Sequence, residues 1–340
     1  MKTLDLRSDT VTRPTPDMLA CISSAVVGDD VYGEDPTTNA LEKLGAEILQ
    51  KESSLFCPSG TQSNLIALLT HCARGDEYIV GQHAHTYKYE GGGGAIFGSI
   101  QPQPLNFLED GTLDLNEVRD NIKKDDFHFA RTRLLCIENT HAGLALPLDY
   151  LDSCKLFAED TGLSLHLDGA RLFNGALKWD VPASRIAQNF DSISICLSKG
   201  LGAPAGSLLC GDKSFIKEAR RWRKVLGGGM RQTGILAAAG IYALENNITR
   251  LKEDQHNAEA LARGLRSIED IKVRYEDNQT NMVFLTLPEA KLPSLHVFLR
   301  QKGIIMTQGT EPRLVIHLEI DRSDIDYIVT AFMEFFNQKR

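Results

Sequence analysis

The chain has 340 residues, 42% of them hydrophobic and 24% charged, an ordinary globular balance long enough to bury roughly three quarters of its unfolded surface. A formal net charge of −8 offers no positive field to nucleic acid or anionic membrane, which leaves small molecules as the expected partners. Seven scattered cysteines, never spaced CxxC, argue against a disulfide framework and a structural zinc site, and the charged start "KTLDLRSD" lacks the apolar core of a signal peptide, so the expectation is a cytoplasmic chain.

Short apolar runs at 54–57, 78–80, 134–137, 163–167, 193–197 and 207–210 are separated by helix-length amphipathic segments. Runs of that length, bounded by Gly, Pro, Asp or Asn, predict an α/β fold: a mostly parallel sheet sandwiched by helices. Ligands in such sheets sit beyond the carboxyl ends of the strands. That rule selects Pro58-Ser59-Gly60-Thr61, Glu138-Asn139-Thr140-His141, Asp168-Gly169-Ala170-Arg171 and Ser198-Lys199. Further on, 235–247 and 248–268 read as one long helix, broken or bent near Asn246-Asn247. Strands are then expected at 281–287 and 313–318, and helices at 294–302 and 323–338. The chain thus divides into a large unit, residues 1–250, and a smaller C-terminal α+β unit, residues 251–340.

Lysines at strand ends usually reach for water, and Lys199 alone would be read that way. Its surroundings favour another role: an amine at the rim of an apolar strand is accessible yet partly desolvated, which suits Schiff-base chemistry. Gly200, Gly202 and Gly206 are expected to leave room for a flat ring. Asp168 closes the strand 163–167 and offers either a helix cap or a partner for a protonated ring nitrogen. Arg171 is then either a surface arginine or a two-pronged holder of a substrate carboxylate. The segment Ser59 to Asn64 opens a helix after a strand, a plausible phosphate cradle but also an ordinary cap. Gly227-Gly228-Gly229 is either a turn or a backbone approach to an anion. The basic run 220–224 reads as a solvated helix face, and His83, His85 and His128 have no spacing that nominates a metal site.

Taken together, the Asp168, Lys199 and Gly60-Thr61 constellation resembles a pyridoxal-phosphate enzyme of the aspartate aminotransferase fold (fold type I). More narrowly, "DLRSDTVT", "VGDDVYGEDP", "SGTQSNL", "ENTH", "LHLDGARLFN", "SICLSKGLGAPAGSLL" and "GGGMRQTGILAAAG" resemble the bacterial L-threonine aldolases of the low-specificity or L-allo-threonine type, over nearly the whole chain. The resemblance implies pyridoxal 5'-phosphate as cofactor and cleavage of L-threonine or L-allo-threonine to glycine and acetaldehyde. It implies Lys199 as the lysine that carries the cofactor, Asp168 at the pyridine nitrogen, and Gly60 with Thr61 at the phosphate. His85 matches a ring-stacking histidine and His128 a second active-site histidine. Ser8, Arg171 and Arg313 match groups around the substrate carboxylate. Lys224 and Arg231 match basic residues that line the site, within one subunit or from a neighbouring subunit of a homodimer or homotetramer. One departure is visible: the family usually has Asn-Gly after "ENTH", where this chain has Ala142-Gly143. From the residues alone, transamination, β-elimination and a colourless nucleotide-binding module stay open beside the aldolase.

Overall fold

In the computed structural model, which describes residues 2–337, the buried runs become the strands of a central sheet. In chain order the strands are β1 (Leu4–Asp5), β2 (Ser53–Cys57), β3 (Asp76–Gly81), β4 (Gln101–Leu105), β5 (Arg131–Glu138), β6 (Ser164–Asp168), β7 (Ser192–Cys196), β8 (Ser207–Gly211), β9 (Lys272–Arg274), β10 (Met282–Thr286), β11 (Ile304–Ile305) and β12 (Arg313–Val315). Seven of them form one sheet in the order β2-β8-β7-β6-β5-β3-β4. In it β8 runs antiparallel to both neighbours, and the remaining pairs are parallel. Ile79, Leu135, Leu165, Leu167, Ile193 and Ile195 make its apolar layers, which the helices cover.

The edge strand β4, "QPQPL", was not expected, because it has neither an apolar run nor alternation. Proline is tolerated on an edge, where one side of the strand needs no ladder partner. The last expected helix spans Arg322–Asn337, and position 338 lies outside the described residues.

A second core gathers Leu261, Leu285, Leu299, Leu314, Ile328 and Phe332 with Leu4 and Leu6 from the start of the chain. The N-terminal strand reaches it by parallel pairing of Leu4 with Ile304. Strands β12, β10 and β9 form its antiparallel sheet. The expected break in the long helix falls between Gly234–Asn246 and Leu251–Leu265. There buried Asn247 turns its amide inward to donate to the Leu201 carbonyl at 2.7 Å.

The glycines around Lys199 have a packing role. A Cβ on Gly200 would meet Leu251 Cδ2 at 2.8 Å, one on Gly202 Leu318 Cδ2 at 2.7 Å, and one on Gly206 Phe56 Cε2 at 2.5 Å. Their missing side chains let the lysine turn pack closely against Leu251, Leu318 and β2. The basic run 220–224 also departs from a solvated face: Arg223 is buried, pairs with Asp30 at 2.6 Å and donates to the Phe56 carbonyl at 2.8 Å.

After β5 the chain reverses through a two-residue turn closed by two hydrogen bonds between His141 and Leu144, with Ala142 at φ +48° and Gly143 at φ +81°. Both central residues thus lie in the left-handed region, the requirement that makes Asn-Gly the preferred pair for such a turn. Asparagine at this position therefore has a backbone reason independent of any polar contact. Ala142→Asn is expected to raise stability by about 1 kcal/mol, because alanine bears the larger left-handed cost; urea denaturation checks it, and an unchanged or lower midpoint contradicts it.

Candidate active site

Parallel strands deliver chemistry to one edge because all their carboxyl ends point the same way. Here β5 ends in Glu138, β6 ends in Asp168, and β7 leads into Lys199 three residues beyond Cys196. Strand β3 leads into His83 and His85. These residues, with Tyr89, Thr140, His141, Ala142, Arg171, Met282, Phe284 and Arg313, line a cavity of about 360 Å³, within the range of small-ligand sites. A larger open groove of about 600 Å³ lies at the amino ends of β6 and β7, around Lys51, Leu163 and Asp191, away from these groups.

The turn that presents Lys199 is fastened by its carbonyls. Thr12 Oγ1 donates to the Lys199 carbonyl at 3.1 Å, the Gly202 amide donates to the same oxygen at 2.8 Å, and Arg250 Nη1 donates to the Gly200 carbonyl at 3.3 Å. The backbone is therefore held from the N-terminal segment and from Arg250 at the start of the helix Leu251–Leu265, and the half-buried side chain extends from a fixed base.

Asp168 is buried and stands directly opposite Glu138 in the β5–β6 register. Burial and the Glu138 charge push its carboxyl above the usual range, against the pull of Lys199 and His85. Its Oδ2 accepts from Asn64 Nδ2 at 2.9 Å and its Oδ1 from the Ala170 amide at 3.1 Å. The cap role weighed from the sequence reduces to that one turn contact, since Arg171 occupies the N-cap position of the next helix. Glu138 is held low, despite burial, by His141 Nδ1 at 2.8 Å and by the His85 amide, which donates to Oε2 at 2.6 Å.

Arg171 is not a surface arginine. Its Nε and Nη2 fork onto the fully buried carboxylate of Asp9 at 2.7 and 2.6 Å. Although burial alone would raise it, Arg171 holds the Asp9 carboxyl down at about 2, with help from Lys199 and Arg313. Arg313, at the start of β12, has no ion-pair partner among the described residues. Burial and the neighbouring Arg171 charge press it toward the neutral form. Two guanidinium groups sharing one wall of a cavity, one of them unpaired, make a seat for a carboxylate.

Gly60 and Thr61 begin the helix Gly60–His71, whose cap Ser59 accepts from the Gln62 amide at 3.2 Å. The amides of Gly60 and Thr61 belong to the unpaired first turn. The glycine loop lies against the same turn: Gln62 Nε2 donates to the Leu226 carbonyl at 3.2 Å, and a Cβ on Gly228 would collide with the Gln62 side chain at 1.9 Å.

The remaining expected residues lie outside the cavity wall. Ser8 Oγ accepts from the Thr10 amide at 3.2 Å and caps the turn that carries Asp9. His128 sits on an exposed loop, its Nδ1 2.6 Å from Asp126 and its ring tilted against exposed Phe127 with centroids 4.0 Å apart. Arg231 pairs with Asp29 at 3.0 Å, and Lys224 is exposed next to Gly229. Conversely, Asp9, Asn64, Glu90, Glu138 and His141 are structural members of the site that reading for cofactor contacts passed over. All but Glu90 stand within a segment that the resemblance or the strand-end rule had marked.

A half-buried amine and a buried carboxylate lining one cavity at the carboxyl edge of a mostly parallel sheet, with an arginine seat, define an α/β enzyme acting on a small anionic amine or carbonyl substrate. The Beta-eliminating lyase family model matches residues 5–288. The low specificity L-threonine aldolase of Escherichia coli (strain K12) is 50% identical over 332 residues, covering 98% of this chain and 99% of that one. Among solved structures, Leishmania major threonine aldolase matches with TM-score 0.84 at 21% identity, covering 98% and 99% of the two chains. SPT with PLP matches with TM-score 0.75 at 16% identity, covering 98% and 87%. The chain belongs to the beta-eliminating lyase family and, within it, to the low-specificity L-threonine aldolases. The likeness to the two solved structures carries the fold, that of the pyridoxal-phosphate enzymes of fold type I.

The Asp9–Arg171 fork gives a pH signature. A carboxyl lowered to about 2 contributes stability that is complete above its unfolded value of about 4 and is lost as the pH falls through about 2. Asp9→Asn is therefore expected to cost roughly 2 kcal/mol near neutral pH, with the gap to the unaltered protein closing below about pH 4. Denaturation at a series of pH values measures it, and a gap independent of pH contradicts the ion pair as its source.

Proposed function

We infer that the protein is a pyridoxal-phosphate-dependent aldolase that cleaves L-threonine and L-allo-threonine to glycine and acetaldehyde. The observation that carries the reading is the meeting of Lys199, Asp168, Arg171 and Arg313 in one cavity. The 50% identity over nearly the whole chain supports the reaction.

The residues present fit pyridoxal phosphate. Lys199 offers an amine for the aldehyde carbon, and buried Asp168 offers a carboxylate to the ring nitrogen. Gly60 and Thr61 offer amides to the phosphate, and a Cβ on Gly60 would meet Cys196 Sγ at 2.7 Å, so a side chain there is excluded. Bound there, the cofactor supplies an electron sink for the pair left on Cα when the Cα–Cβ bond breaks.

The chain's own groups do the rest. Arg171 and Arg313 hold the substrate carboxylate and thereby decide which bond at Cα is broken, and Ser8, outside that wall, caps the turn whose Asp9 holds Arg171. His85 takes the proton from the β-hydroxyl as that carbon becomes the aldehyde carbonyl. His128 shapes the pocket around the β-substituent, and Lys224 and Arg231 add positive charge near the phosphate. These last three lie on the surface of the single chain, which supports a homodimer or homotetramer with the site at the subunit boundary. In this reading residues 1–250 bind the cofactor and 251–340 supply Arg313. Seven free cysteines, six of them buried, support a cytoplasmic location. Among the described residues, no helix is long and apolar enough to cross a membrane.

The purified protein is expected to be yellow, with borohydride fixing the cofactor to the peptide that contains Lys199. Lys199→Ala is expected to fold and to lose turnover by several orders of magnitude, on the order of 10³-fold or more. Label on another lysine, or a keto acid in place of glycine and acetaldehyde, overturns the reading. His85→Asn is expected to lower turnover of both diastereomers strongly, about 10²-fold or more, whereas His128→Phe chiefly changes their ratio. Cleavage assays on L-threonine and L-allo-threonine decide both roles: near-normal turnover in the first variant, or an unchanged ratio in the second, contradicts the assignment.

A further inference from the structure

A buried chain of hydrogen bonds runs beneath the site, and its directions can be worked out from one end. His71 Nε2 and Ser192 Oγ lie 2.6 Å apart, Ser192 Oγ and His166 Nδ1 2.7 Å, and His166 Nε2 and Asn64 Oδ1 3.3 Å. Burial pushes both histidines well down, His71 to about 4 and His166 to about 3, so both are neutral near pH 7. A neutral His166 carries one ring proton. With Asn64 Oδ1 an acceptor, that proton sits on Nε2, and Nδ1 accepts from the Ser192 hydroxyl. The amide of Asn64 is thereby oriented with its nitrogen toward the site.

The consequence falls on two carboxylates. Asn64 Nδ2 has two protons and two partners, Asp168 Oδ2 and Glu90 Oε1, each at 2.9 Å. A second donor reaches the same Glu90 oxygen, His85 Nδ1 at 2.7 Å. Burial, with 3% of the side chain exposed, and the Asp168 charge raise the proton affinity of Glu90, and the hydrogen bonds from His85 and Asn64 work against them, since an oxygen that receives two N–H groups is favoured as a carboxylate over a hydroxyl. A ring nitrogen of His85 and one oxygen each of Glu90 and Asp168 lie within 4.8 Å of one another. The intervening amide separates their tasks: Asp168 is directed to the ring nitrogen, and Glu90 is left to His85.

We propose that Glu90 is the positioning residue for His85, holding the imidazole proton on Nδ1 so that Nε2 is the nitrogen presented to the substrate as the base. The inference rests on the reading of His85 as the proton acceptor. Glu90 reaches back from just beyond the short helix His85–Lys88, whose turn brings a carboxylate five positions later under the ring of its first residue. The histidine is thereby fixed at both ends, since its own amide donates to Glu138 Oε2 at 2.6 Å. The arrangement repeats the logic of a carboxylate orienting a catalytic imidazole, without which the wrong tautomer faces the substrate. The charges facing His85 are Glu90, Asp168 and Glu138, which favour its protonated form, and Lys199, which opposes it; the hydrogen bond from Glu90 is the largest influence and raises its proton affinity.

The test compares the holoenzyme with Glu90→Gln, which keeps the shape and removes the charge. Carbethoxylation of His85 by diethyl pyrocarbonate, followed by mass spectrometry across pH, reports the fraction of free imidazole without using turnover. In Glu90→Gln the midpoint for His85 is expected to fall by about one pH unit. The acid limb of kcat/KM is expected to move down with it, and kcat on the plateau to fall at least about tenfold. Glu90→Asp retains the charge, so its limb is expected near that of the unaltered enzyme even where kcat falls. It also serves if the glutamine variant does not fold. An unmoved midpoint in Glu90→Gln, or a loss of kcat with an unmoved limb, overturns the role of Glu90. Near-normal turnover in His85→Asn instead overturns the reading of the base, and the carbethoxylation midpoint still reports whether Glu90 governs the ring.

Discussion

Two carboxylates, Glu138 partly buried and Asp168 fully so, stand abreast at the ends of neighbouring parallel strands, and the rest of the site answers to that pairing. Like charges at adjacent strand positions in a dry environment cannot both be ionised without cations or donors around them. Glu138 is satisfied by His141 and by the His85 amide, so it is the one held ionised. Asp168 is left with two neutral donors and a raised proton affinity. A cationic ring nitrogen is the partner that such a carboxylate lacks. The register of two strands therefore creates a demand that the cofactor of the proposed function would meet.

The N-terminal segment enters the same balance from outside the sheet. Asp9 forks onto Arg171, and Thr12 takes hold of the Lys199 carbonyl, so one short stretch fixes both a substrate-facing cation and the backbone of the lysine turn. The same segment continues from β1, which pairs with β11 in the second core. Position in sequence and position in space thus diverge: residues 4–12 tie the two cores together at the site.

The parallel sheet was legible because each of its inner strands is a short apolar run, and the strand-end rule then located Asp168, Lys199 and Arg171 without further help. What the runs could not reveal was anything dictated by partners. Strand β4 exists because an edge tolerates Pro102 and Pro104, and the two-residue strands β1 and β11 exist because they find each other 300 positions apart (304 − 4). Asp9, Asn64 and Glu90 read as polar residues in loops and helix starts until folding buries them, since nothing in their local pattern marks a carboxylate or amide for the interior. The glycines near Lys199 were read as room for a flat ring, and the protein side chains packed against them were not legible, because a missing Cβ does not say what fills its place.

The second core contributes the charge that gives the cavity its polarity. Arg313 stands on β12 with no carboxylate of its own, beside Arg171, whose fork is already taken by Asp9. Left alone, the two guanidinium groups repel one another, and burial weakens the solvent screening that would soften the repulsion. In the proposed function a substrate carboxylate placed beside them would relieve that repulsion and fix the orientation of everything attached to Cα. Asp168 and Glu138 line the same cavity and give it acidic groups as well as basic ones, so an amino acid bound there would have its carboxylate and its amine drawn to different groups. His85 and Lys199, which line it too, are the groups that could exchange a proton or form a bond with a substrate held in that one direction.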